Sequence, residues 1–335
     1  MNVVEHSQFE LTFPRDAGAP NEVLTLAIGD TLFVLGANGT GKSALLQRFS
    51  STAHGRARRI SAHRQTWLQS DALVFSSSQK QTADTQLTSW DTSPQSRWME
   101  QQPGQRSNVT LYDLIDAENV DARAIAGAVR EGRVEAAQEL AKKSAPIATV
   151  NDLLLRSNLP IEISVEGGDR LMASKAGGPK YGAAELSDGE RNALLIGAEV
   201  LTAKPGTLLI IDEPERHLHR SIISPLLTHL FKMRDDCAFI VATHDLTLPM
   251  DNPEARTLLV RSCSFSGQTP VCWEADVLAP NTDIDETTKQ DLLGARRAMV
   301  FVEGDESSLD KPLYSLLFPS YPFPPRALRA TLSTP

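Results

Sequence analysis

Residues 31–43, TLFVLGANGTGKS, decide the fold of this 335-residue chain. Residues 31–35 form an apolar run of strand length, residues 36–41 form a glycine-rich loop, and a helical pattern begins at Ser43. The stretch fits G-x-x-x-x-G-K-[ST] between a buried strand and a helix, the context in which this pattern binds nucleotide phosphates. Backbone N–H groups of the loop and the helix N-terminus surround the phosphates in such sites. The stretch therefore predicts an α/β fold of the P-loop NTPase class.

The same loop supplies most of the predicted nucleotide contacts. We expect Lys42 to reach the β- and γ-phosphates of ATP and the Ser43 hydroxyl to bind Mg²⁺. The predicted cofactors are therefore ATP and Mg²⁺. The cofactor-binding residues predicted here are Gly36, Ala37, Asn38, Gly39, Thr40, Gly41, Lys42 and Ser43.

Two further apolar runs end in polar side chains. Residues 207–211 lead into Asp212 and Glu213, and residues 238–242 lead towards His244. We expect Asp212 to hold Mg²⁺ through water, Glu213 to act as general base, and His244 to sense the γ-phosphate. Solvated acids and a polar strand end are the plainer interpretation, which a phosphate loop earlier in the chain disfavours.

Residues 186–190, LSDGE, form what we call the signature segment. Ser187 followed three residues later by Glu190 is a capping box, so the segment predicts the start of a helix. It lies about 25 residues before Asp212. Taken alone, the segment is compatible with a helix start of no further function or with half of a nucleotide site.

The order of these motifs is specific: a phosphate loop, the signature segment, a strand ending in Asp-Glu, and a strand ending near His. This order resembles the ATP-binding-cassette (ABC) ATPases over about residues 8–275. The resemblance implies a mixed sheet with a helical insertion and a homodimer or higher homo-oligomer with composite ATP sites. In it, the signature segment contacts the γ-phosphate held by a second subunit, through Ser187, Asp188, Gly189 and Glu190.

Residues 212–219, DEPERHLH, narrow the resemblance. This form looks like the cytosolic OLD-type and RecF/SMC-like AAA ATPases, whereas membrane importers usually continue DEPTSALD. His217 and His219 lie where that family has a loop at the dimer seam, but a simple polar helix start is the favoured interpretation. Gln65 is the candidate for the family's Q-loop glutamine and is counted with the catalytic residues. Gln79 is its rival, and an ordinary surface glutamine is the alternative to both.

A basic cluster and a C-terminal stretch add two further hypotheses. The arginines that follow the first helix form a solvated face or a patch for nucleic acid or a partner: Arg56, Arg58, Arg59 and Arg64. Residues 295–318 resemble the first strand and helix of a TOPRIM domain, in particular the effector of the PARIS anti-phage system. Only 32 residues follow Glu303, and none forms an Asp-x-Asp motif. We therefore expect an incomplete, truncated TOPRIM-like fragment without nuclease activity.

The expected domains follow from these motifs and from composition. Residues 1–277 form the ATPase domain, with a mobile or helical insertion at about 76–158, and residues 278–290 form a linker. The incomplete fragment and its proline-rich tail occupy residues 291–335. Within the insertion, residues 76–107 are rich in Ser, Thr, Gln, Asp and Pro and predict a loop, whereas residues 111–157 predict helices.

Bulk properties limit the classes of function. The formal net charge is −9 and the apolar fraction is 41%, values typical of a globular protein that is not a general nucleic-acid binder. The three cysteines form no C-x-x-C pair. Neither a signal peptide nor an 18-residue apolar run is present. We expect a cytoplasmic protein without a membrane partner, and nucleic-acid binding stays open.

Three functions remain. The first is an ATPase that senses a phage-derived trigger and controls a TOPRIM-like nuclease effector in anti-phage defence. The second is a DNA-repair ATPase of the SMC/RecF type, which the acidic charge and the short insertion disfavour. The third is the nucleotide-binding subunit of an ABC transporter, which the DEPE sequence disfavours.

Overall fold

The computed structural model of the chain describes residues 8–15, 21–53, 55–61, 68, 70–101 and 103–282. The chain forms two compact units, Met1–Thr282 and Asp283–Pro335. The second unit lies outside the described residues, and with it the predicted TOPRIM-like fragment and most of the predicted linker. The domain boundaries therefore stay a prediction.

The first unit is built from strands and helices in alternation. The strands are β1 (Gln8–Pro14), β2 (Asn21–Ala27), β3 (Thr31–Leu35), β4 (Ala57–Ser61), β5 (Ile161–Glu166), β6 (Arg170–Lys175), β7 (Tyr181–Gly182), β8 (Leu208–Asp212), β9 (Ala238–Thr243), β10 (Arg256–Ser266) and β11 (Thr269–Leu278). The helices are α1 (Lys42–Thr52), α2 (Ser77–Thr92), α3 (Pro103–Arg130), α4 (Val134–Lys142), α5 (Pro146–Arg156), α6 (Asp188–Leu201), α7 (Arg220–Met233) and α8 (Thr247–Asp251), with 3-10 turns at Pro94–Arg97 and Ala183–Glu185.

A six-stranded sheet in the order β11-β10-β3-β9-β8-β4 forms the centre of this unit. Its inner pairs are parallel, and only β11, at one edge, is antiparallel. Parallel strands need helical crossovers on both faces, so they are apolar throughout. Every residue of β8 and β9 is buried. The predicted α/β fold with a mostly parallel sheet is therefore confirmed.

Alternate residues of the central strands feed two separate cores. Leu209 and Ile211 pack with the apolar sides of α6 and α7. Leu208 and Ile210 pack on the other face with α1 and with the β1–β2 hairpin. Because successive side chains of a strand point to opposite faces, one five-residue strand supports both layers. Packing on both faces of the sheet therefore holds β8 in place, and with it Asp212.

The carboxyl ends of three central strands meet at one edge of the sheet. Leu35, the last residue of β3, lies opposite Thr243, and Asp212 lies opposite Ala242. The phosphate-loop sequence, the Asp-Glu pair and His244 all come at or directly after these strand ends. The three motifs are therefore brought together by strand register, although they lie far apart along the chain.

The loop predicted for residues 76–107 is wrong. Residues 77–92 form α2, the 3-10 turn follows, and α3 begins at Pro103. Ser76 and Gln79 form a capping box that starts α2, and the hydroxyls of Thr82 and Thr88 donate to carbonyls four residues earlier. The capping box satisfies backbone N–H groups at the start of α2, so a composition typical of loops is compatible with a helix here.

Ion pairs rather than apolar contacts dock this polar helix. Arg106 of α3 is buried and contacts the carboxylates of Asp91 and Glu100. Lys80 of α2 pairs with Asp113 of α3 at 2.8 Å. Burial lowers the pKa of Arg106, but the attraction of Asp91 and Glu100 outweighs it and raises the pKa above its ordinary value. The insertion is therefore a packed helical layer, and its helical part agrees with the prediction for residues 111–157.

No helix in the described part of the chain combines the length and the apolar character needed to cross a bilayer. The three cysteines, Cys237, Cys263 and Cys272, are free thiols.

Candidate functional site

The glycine-rich loop between β3 and α1 is held against the sheet so closely that side chains are excluded at two positions. A Cβ atom added to Gly36 would lie 2.5 Å from the Val260 carbonyl oxygen. Gly41 has φ +89°, and a Cβ there would lie 2.5 Å from the Cβ of Cys263. These two glycines are therefore required by close approach and by left-handed backbone, and not only by phosphate contact.

Lys42 lies inside the curve of this loop. Its Nζ donates to the carbonyl oxygens of Gly36 at 2.7 Å and Ala37 at 3.0 Å, and the residue is only 6% exposed. Burial lowers the pKa of Lys42, while the nearby carboxylates of Glu213 and Asp212 oppose that shift. The structure therefore places the buried ammonium group of Lys42 against the loop that is predicted to bind the phosphates.

A cavity of about 620 Å³ opens over the loop. It is lined by loop and helix residues, among them Lys42 and Ser43, and by Glu213 from the end of β8. Its remaining walls come from Arg97, Trp98, Phe265 and Gln268. Volumes of roughly 300–1,000 Å³ are typical of small-molecule sites. The structure therefore brings the loop and the predicted general base into one cavity of ligand size.

Asp212, the predicted metal ligand, is buried and paired. Its Oδ2 accepts a hydrogen bond from Nη2 of Arg59 at 2.7 Å, and both side chains are 1% exposed. The partner lies on β4, whose Ser61 is the register neighbour of Asp212. The guanidinium supplies the counter-charge and the hydrogen bond that a buried carboxylate needs.

The donor set fits Mg²⁺. A serine hydroxyl at Ser43 and a carboxylate at Asp212 are oxygen ligands of the kind that Mg²⁺ takes, with the rest supplied by water and phosphate. Arg59 balances the charge of Asp212 through its ion pair. Within the described residues, no group of three or more His, Cys, Asp and Glu side chains is placed to hold a metal ion.

The interpretation of the arginine cluster as a solvated face is wrong for the two arginines of β4. Arg59 pairs with Asp212, and Arg58 pairs with Glu199 at 3.0 Å and with Asp113 at 3.4 Å. Arg56 stacks its guanidinium over the ring of Phe9, and Arg64 lies outside the described residues. The sequence showed the positive charges but not the acids from α3, α6 and β8 that neutralise them.

Glu213 has an unusual backbone. Its φ is +48°, a left-handed conformation that costs a non-glycine residue about 1–2 kcal/mol. Its N–H donates to the Ala242 carbonyl at 2.9 Å, and its Oε2 pairs with Nε of Arg216 at 2.9 Å. Residues held in this way cluster at functional sites. Glu213 lies in the wall of the cavity that Lys42 also lines.

His244 is oriented by a residue that the sequence analysis did not select. Oε1 of Glu215 contacts Nδ1 of His244 at 2.9 Å and also accepts from the His244 N–H at 3.1 Å and the Thr243 hydroxyl at 2.7 Å. Glu215 is the second glutamate of DEPE. The sequence could have indicated Glu215 by its position two residues after Glu213, the second of the two predicted functional acids. His244 itself does not line the cavity over the loop.

The signature segment starts α6, as predicted. The Ser187 N–H donates to Glu190 Oε2 at 3.0 Å and the Glu190 N–H donates to Ser187 Oγ at 3.4 Å, which completes the capping box. Lys175 pairs with Glu190 at 2.7 Å. Burial raises the pKa of Glu190, but hydrogen bonds from Lys175 and Ser187 outweigh it and lower the pKa. Residues 187–190, all of them described, do not line the cavity over the loop of their own chain.

The helix that begins at Ser187 packs on the segment that follows Glu213. Asn192, buried on α6, donates to the Arg216 carbonyl at 3.1 Å. A Cβ on Gly189 would lie 3.1 Å from the His217 carbonyl oxygen. The signature segment and the Glu213 ion pair are therefore linked through residues 216–217. Asn192 was missed because a buried asparagine within an apolar helix has no sequence motif.

The remaining candidates have local roles or cannot be placed. His219 is the N-cap of α7, with Nδ1 accepting from the Ser221 N–H at 3.2 Å, so the helix-start interpretation is confirmed for it. His217 is exposed. Gln79 closes the capping box of α2. Gln65 lies outside the described residues, and its role stays a prediction.

A family model described as "AAA domain, putative AbiEii toxin, Type IV TA system" matches residues 58–251, more than half of the chain. The chain belongs to this AAA family. The match begins after the glycine-rich loop and includes the signature segment, Asp212, Glu213 and His244. No curated protein matches this AAA-family chain.

Several solved structures are similar to this AAA-family chain at low sequence identity. A crystal structure of the SmcHead bound to the C-winged helix domain of ScpA is 15% identical, with 82% of this chain and 97% of that one covered and a TM-score of 0.44. UvrA2 from Deinococcus radiodurans is 16% identical, with 80% and 37% covered and a TM-score of 0.39. CbiO1 from Clostridium perfringens, part of the ABC transporter complex cbiONQ, is 14% identical, with 75% and 84% covered and a TM-score of 0.37.

The Arg59–Asp212 pair makes a prediction about stability. Arg59→Met should lower the free energy of unfolding by about 3–5 kcal/mol, because it leaves the Asp212 carboxylate buried without its counter-charge. Asp212→Asn introduced into the Arg59→Met protein should recover part of that loss. Urea unfolding of the wild type, both single variants and the double variant should give a coupling energy of about 0.5–3 kcal/mol. Strictly additive effects would show that the two side chains do not interact.

Proposed function

We propose that this chain binds ATP with Mg²⁺ and hydrolyses it to ADP and phosphate. One observation supports the proposal above all others. Buried Lys42, the hydroxyl-bearing Ser43 and the strained Glu213 line a single cavity over a phosphate-type loop. A cation, a metal-binding hydroxyl and a general base in one place are the parts that phosphoryl transfer to water needs.

Each of these residues has a task in that reaction. Loop N–H groups and Lys42 hold the β- and γ-phosphates, and Lys42 exchanges its bonds to the Gly36 and Ala37 carbonyls for phosphate oxygens. Ser43 and Asp212 hold Mg²⁺, which when bound neutralises phosphate charge. Glu213 accepts the proton of the attacking water. Arg216, half-exposed, pairs with the Glu213 carboxylate at 2.9 Å and orients it.

Two substitutions test the proposal. Lys42→Ala should abolish measurable ATP binding, because it removes the only cation among the residues of the loop itself. Glu213→Gln should bind ATP but hydrolyse it about 10²–10⁴-fold more slowly, since the base is lost while the phosphate contacts remain. ATP affinity by calorimetry and phosphate release measure the two effects.

Exposed positions of the same residue types provide the controls: Lys204→Ala and Glu254→Gln should behave as the wild type. Hydrolysis by Glu213→Gln at the wild-type rate would eliminate its role as base.

We further propose that ATP joins two copies of the chain, with the signature segment of one copy closing the site of the other. Ser187 and Asp188 are exposed at the start of α6 and do not line their own cavity. Backbone N–H groups at a helix N-terminus favour an anion such as a γ-phosphate. In this arrangement Ser187, Asp188, Gly189 and Glu190 complete a composite site.

Ser187→Arg tests the composite site. It should leave ATP binding by each subunit intact but prevent ATP-dependent dimerisation and hydrolysis, because a long cation would fill the space for the second subunit. Dimerisation is measured by light scattering in the presence of ATP. Ser187→Arg is combined with Glu213→Gln for this measurement, so that the bound ATP is hydrolysed only slowly. Ser76→Arg, at the equivalent cap of α2, is the matched control and should dimerise normally. Wild-type hydrolysis by Ser187→Arg would contradict the composite site.

For the cellular role we propose a sensor in anti-phage defence that regulates a TOPRIM-like nuclease effector. The family description is "AAA domain, putative AbiEii toxin, Type IV TA system", and the DEPE form and the TOPRIM-like sequence of residues 295–318 support such a setting. Cells that carry the chain with its adjoining genes should resist phage, and Lys42→Ala should remove resistance. An effector that neither co-purifies nor is released on phage challenge would count against this role. ATP-dependent, salt-sensitive binding to DNA ends would favour a DNA-repair ATPase instead.

A further inference from the structure

A second cavity, of about 610 Å³, lies in the helical insertion between α2 and the start of α3. Among the described residues it shares no lining side chain with the cavity over the glycine-rich loop. Its wall is polar: apart from Leu87 and Trp90, each described residue that lines it carries a hydroxyl, an amide or a carboxylate. The volume is within the range typical of small-molecule sites.

Three side chains of this wall carry a buried polar atom without a hydrogen-bond partner among the described residues. These atoms are the indole Nε1 of Trp90, Oε1 of Glu100 and Oε1 of Gln105. A buried donor or acceptor left without a partner costs about 1–3 kcal/mol, and such atoms are few in native proteins. Their concentration around one cavity is explained by a ligand that supplies the missing hydrogen bonds.

Glu100 sets the charge of that ligand. Its side chain is only 7% exposed, and its other oxygen, Oε2, accepts from Nε of Arg106 at 2.9 Å. Arg106 also pairs with Asp91, so one guanidinium serves two buried carboxylates. The described residues that line the cavity include no lysine, arginine or histidine. A cationic ligand at Glu100 Oε1 would supply the second counter-charge that buried carboxylates require.

Trp90 and Gln105 define the ligand further. Aromatic rings attract guanidinium groups, which are planar and weakly hydrated and stack on them, whereas an ammonium is compact and strongly hydrated. The amide oxygen of Gln105 accepts a second N–H of such a group. The indole N–H of Trp90 is a donor, however, and a guanidinium has no acceptor atom. The ligand therefore carries an acceptor oxygen as well as a cation, and an arginine residue has both in its guanidinium and its carbonyl.

We propose that the cavity between α2 and α3 binds an arginine residue. The guanidinium donates to Glu100 Oε1 and Gln105 Oε1, and the carbonyl oxygen of the ligand accepts from Nε1 of Trp90. Free L-arginine and an arginine within a peptide segment of a partner protein share this chemistry, and the volume leaves room for either. The site does not depend on the proposed ATP hydrolysis, because no residue of the nucleotide cavity takes part in it.

Small ligands separate the parts of this proposal, with binding to the full chain measured by calorimetry in the absence of nucleotide. N-acetyl-L-argininamide should bind. Its citrulline analogue, with a neutral urea in place of the guanidinium, should bind about 10- to 150-fold more weakly, the range for loss of a charged hydrogen bond. Agmatine, a guanidinium without a carbonyl, should bind about 2- to 10-fold more weakly because it gives Trp90 no acceptor. Free L-arginine is the fourth ligand: binding tighter than that of the capped amide identifies the free amino acid as the source, and weaker binding identifies a peptide.

Two variants test the residues themselves. Gln105→Met should weaken binding of N-acetyl-L-argininamide about 10-fold, yet it should not lower the free energy of unfolding in urea, because it removes a buried oxygen that has no partner among the described residues. Trp90→Phe keeps an aromatic ring but removes the N–H, so it should bind N-acetyl-L-argininamide and agmatine with equal affinity. Gln138→Met, exposed on α4, is the matched control and should bind as the wild type.

The possible results are distinct. If the wild type binds neither L-arginine nor the capped amide, the site is overturned and ordered water completes the three hydrogen bonds instead. Equal affinity for the arginine and citrulline ligands also overturns it, because no cation is then selected. Binding that is unchanged in both Gln105→Met and Trp90→Phe places the ligand elsewhere on the chain and overturns the assignment. Charge-selective binding that both variants weaken supports it.

Discussion

The parallel pairing of β3, β9 and β8 is the constraint on which the rest of the structure depends. Parallel register carries the three strand ends to one edge of the sheet, where Leu35 faces Thr243 and Asp212 faces Ala242. Because these strands are buried on both faces, they contribute no functional side chains along their length. The chemistry is therefore concentrated where the strands end, in the loop, the Asp212–Glu213 pair and His244.

A chain of buried charges extends this edge into the helical insertion. Arg59 joins Asp212 to the turn at Ser96, and Arg106 donates to the carbonyl of Arg59 while it pairs with Asp91 and Glu100. Buried pairs of this kind contribute little net stability compared with apolar packing, but breaking one partner is costly. These ion pairs instead fix the position of the helical insertion, which docks in one orientation beside the cavity over the loop.

The framework could be predicted from the sequence because periodicity and motif spacing are local. Apolar runs located the central strands, and G-x-x-x-x-G-K-S located the loop. Prediction failed for residues whose ion-pair or packing partners lie far away in the chain. The polar composition of α2 indicates a loop, because the charged side chains that dock this helix belong to α3 and do not show in its own sequence. Arg58 and Arg59 look solvated in the sequence because their partners, Glu199 and Asp212, come 141 and 153 residues later. Other residues have no sequence pattern of their own and are found only through their contacts or their place in the cavity: Asn192, Trp98 and Phe265.

The contact between the loop and the β10–β11 hairpin has a consequence for the order of folding. Trp273 donates from Nε1 to the Gly41 carbonyl at 3.2 Å across 232 residues of chain, and Cys263 packs against the same glycine. β3 itself pairs with β9 and β10, both from the late part of the described chain. During synthesis the N-terminal glycine loop therefore lacks these neighbours to shape it until the late strands emerge. We therefore expect the phosphate site to form late in folding, since contacts between residues far apart in the chain form slowly.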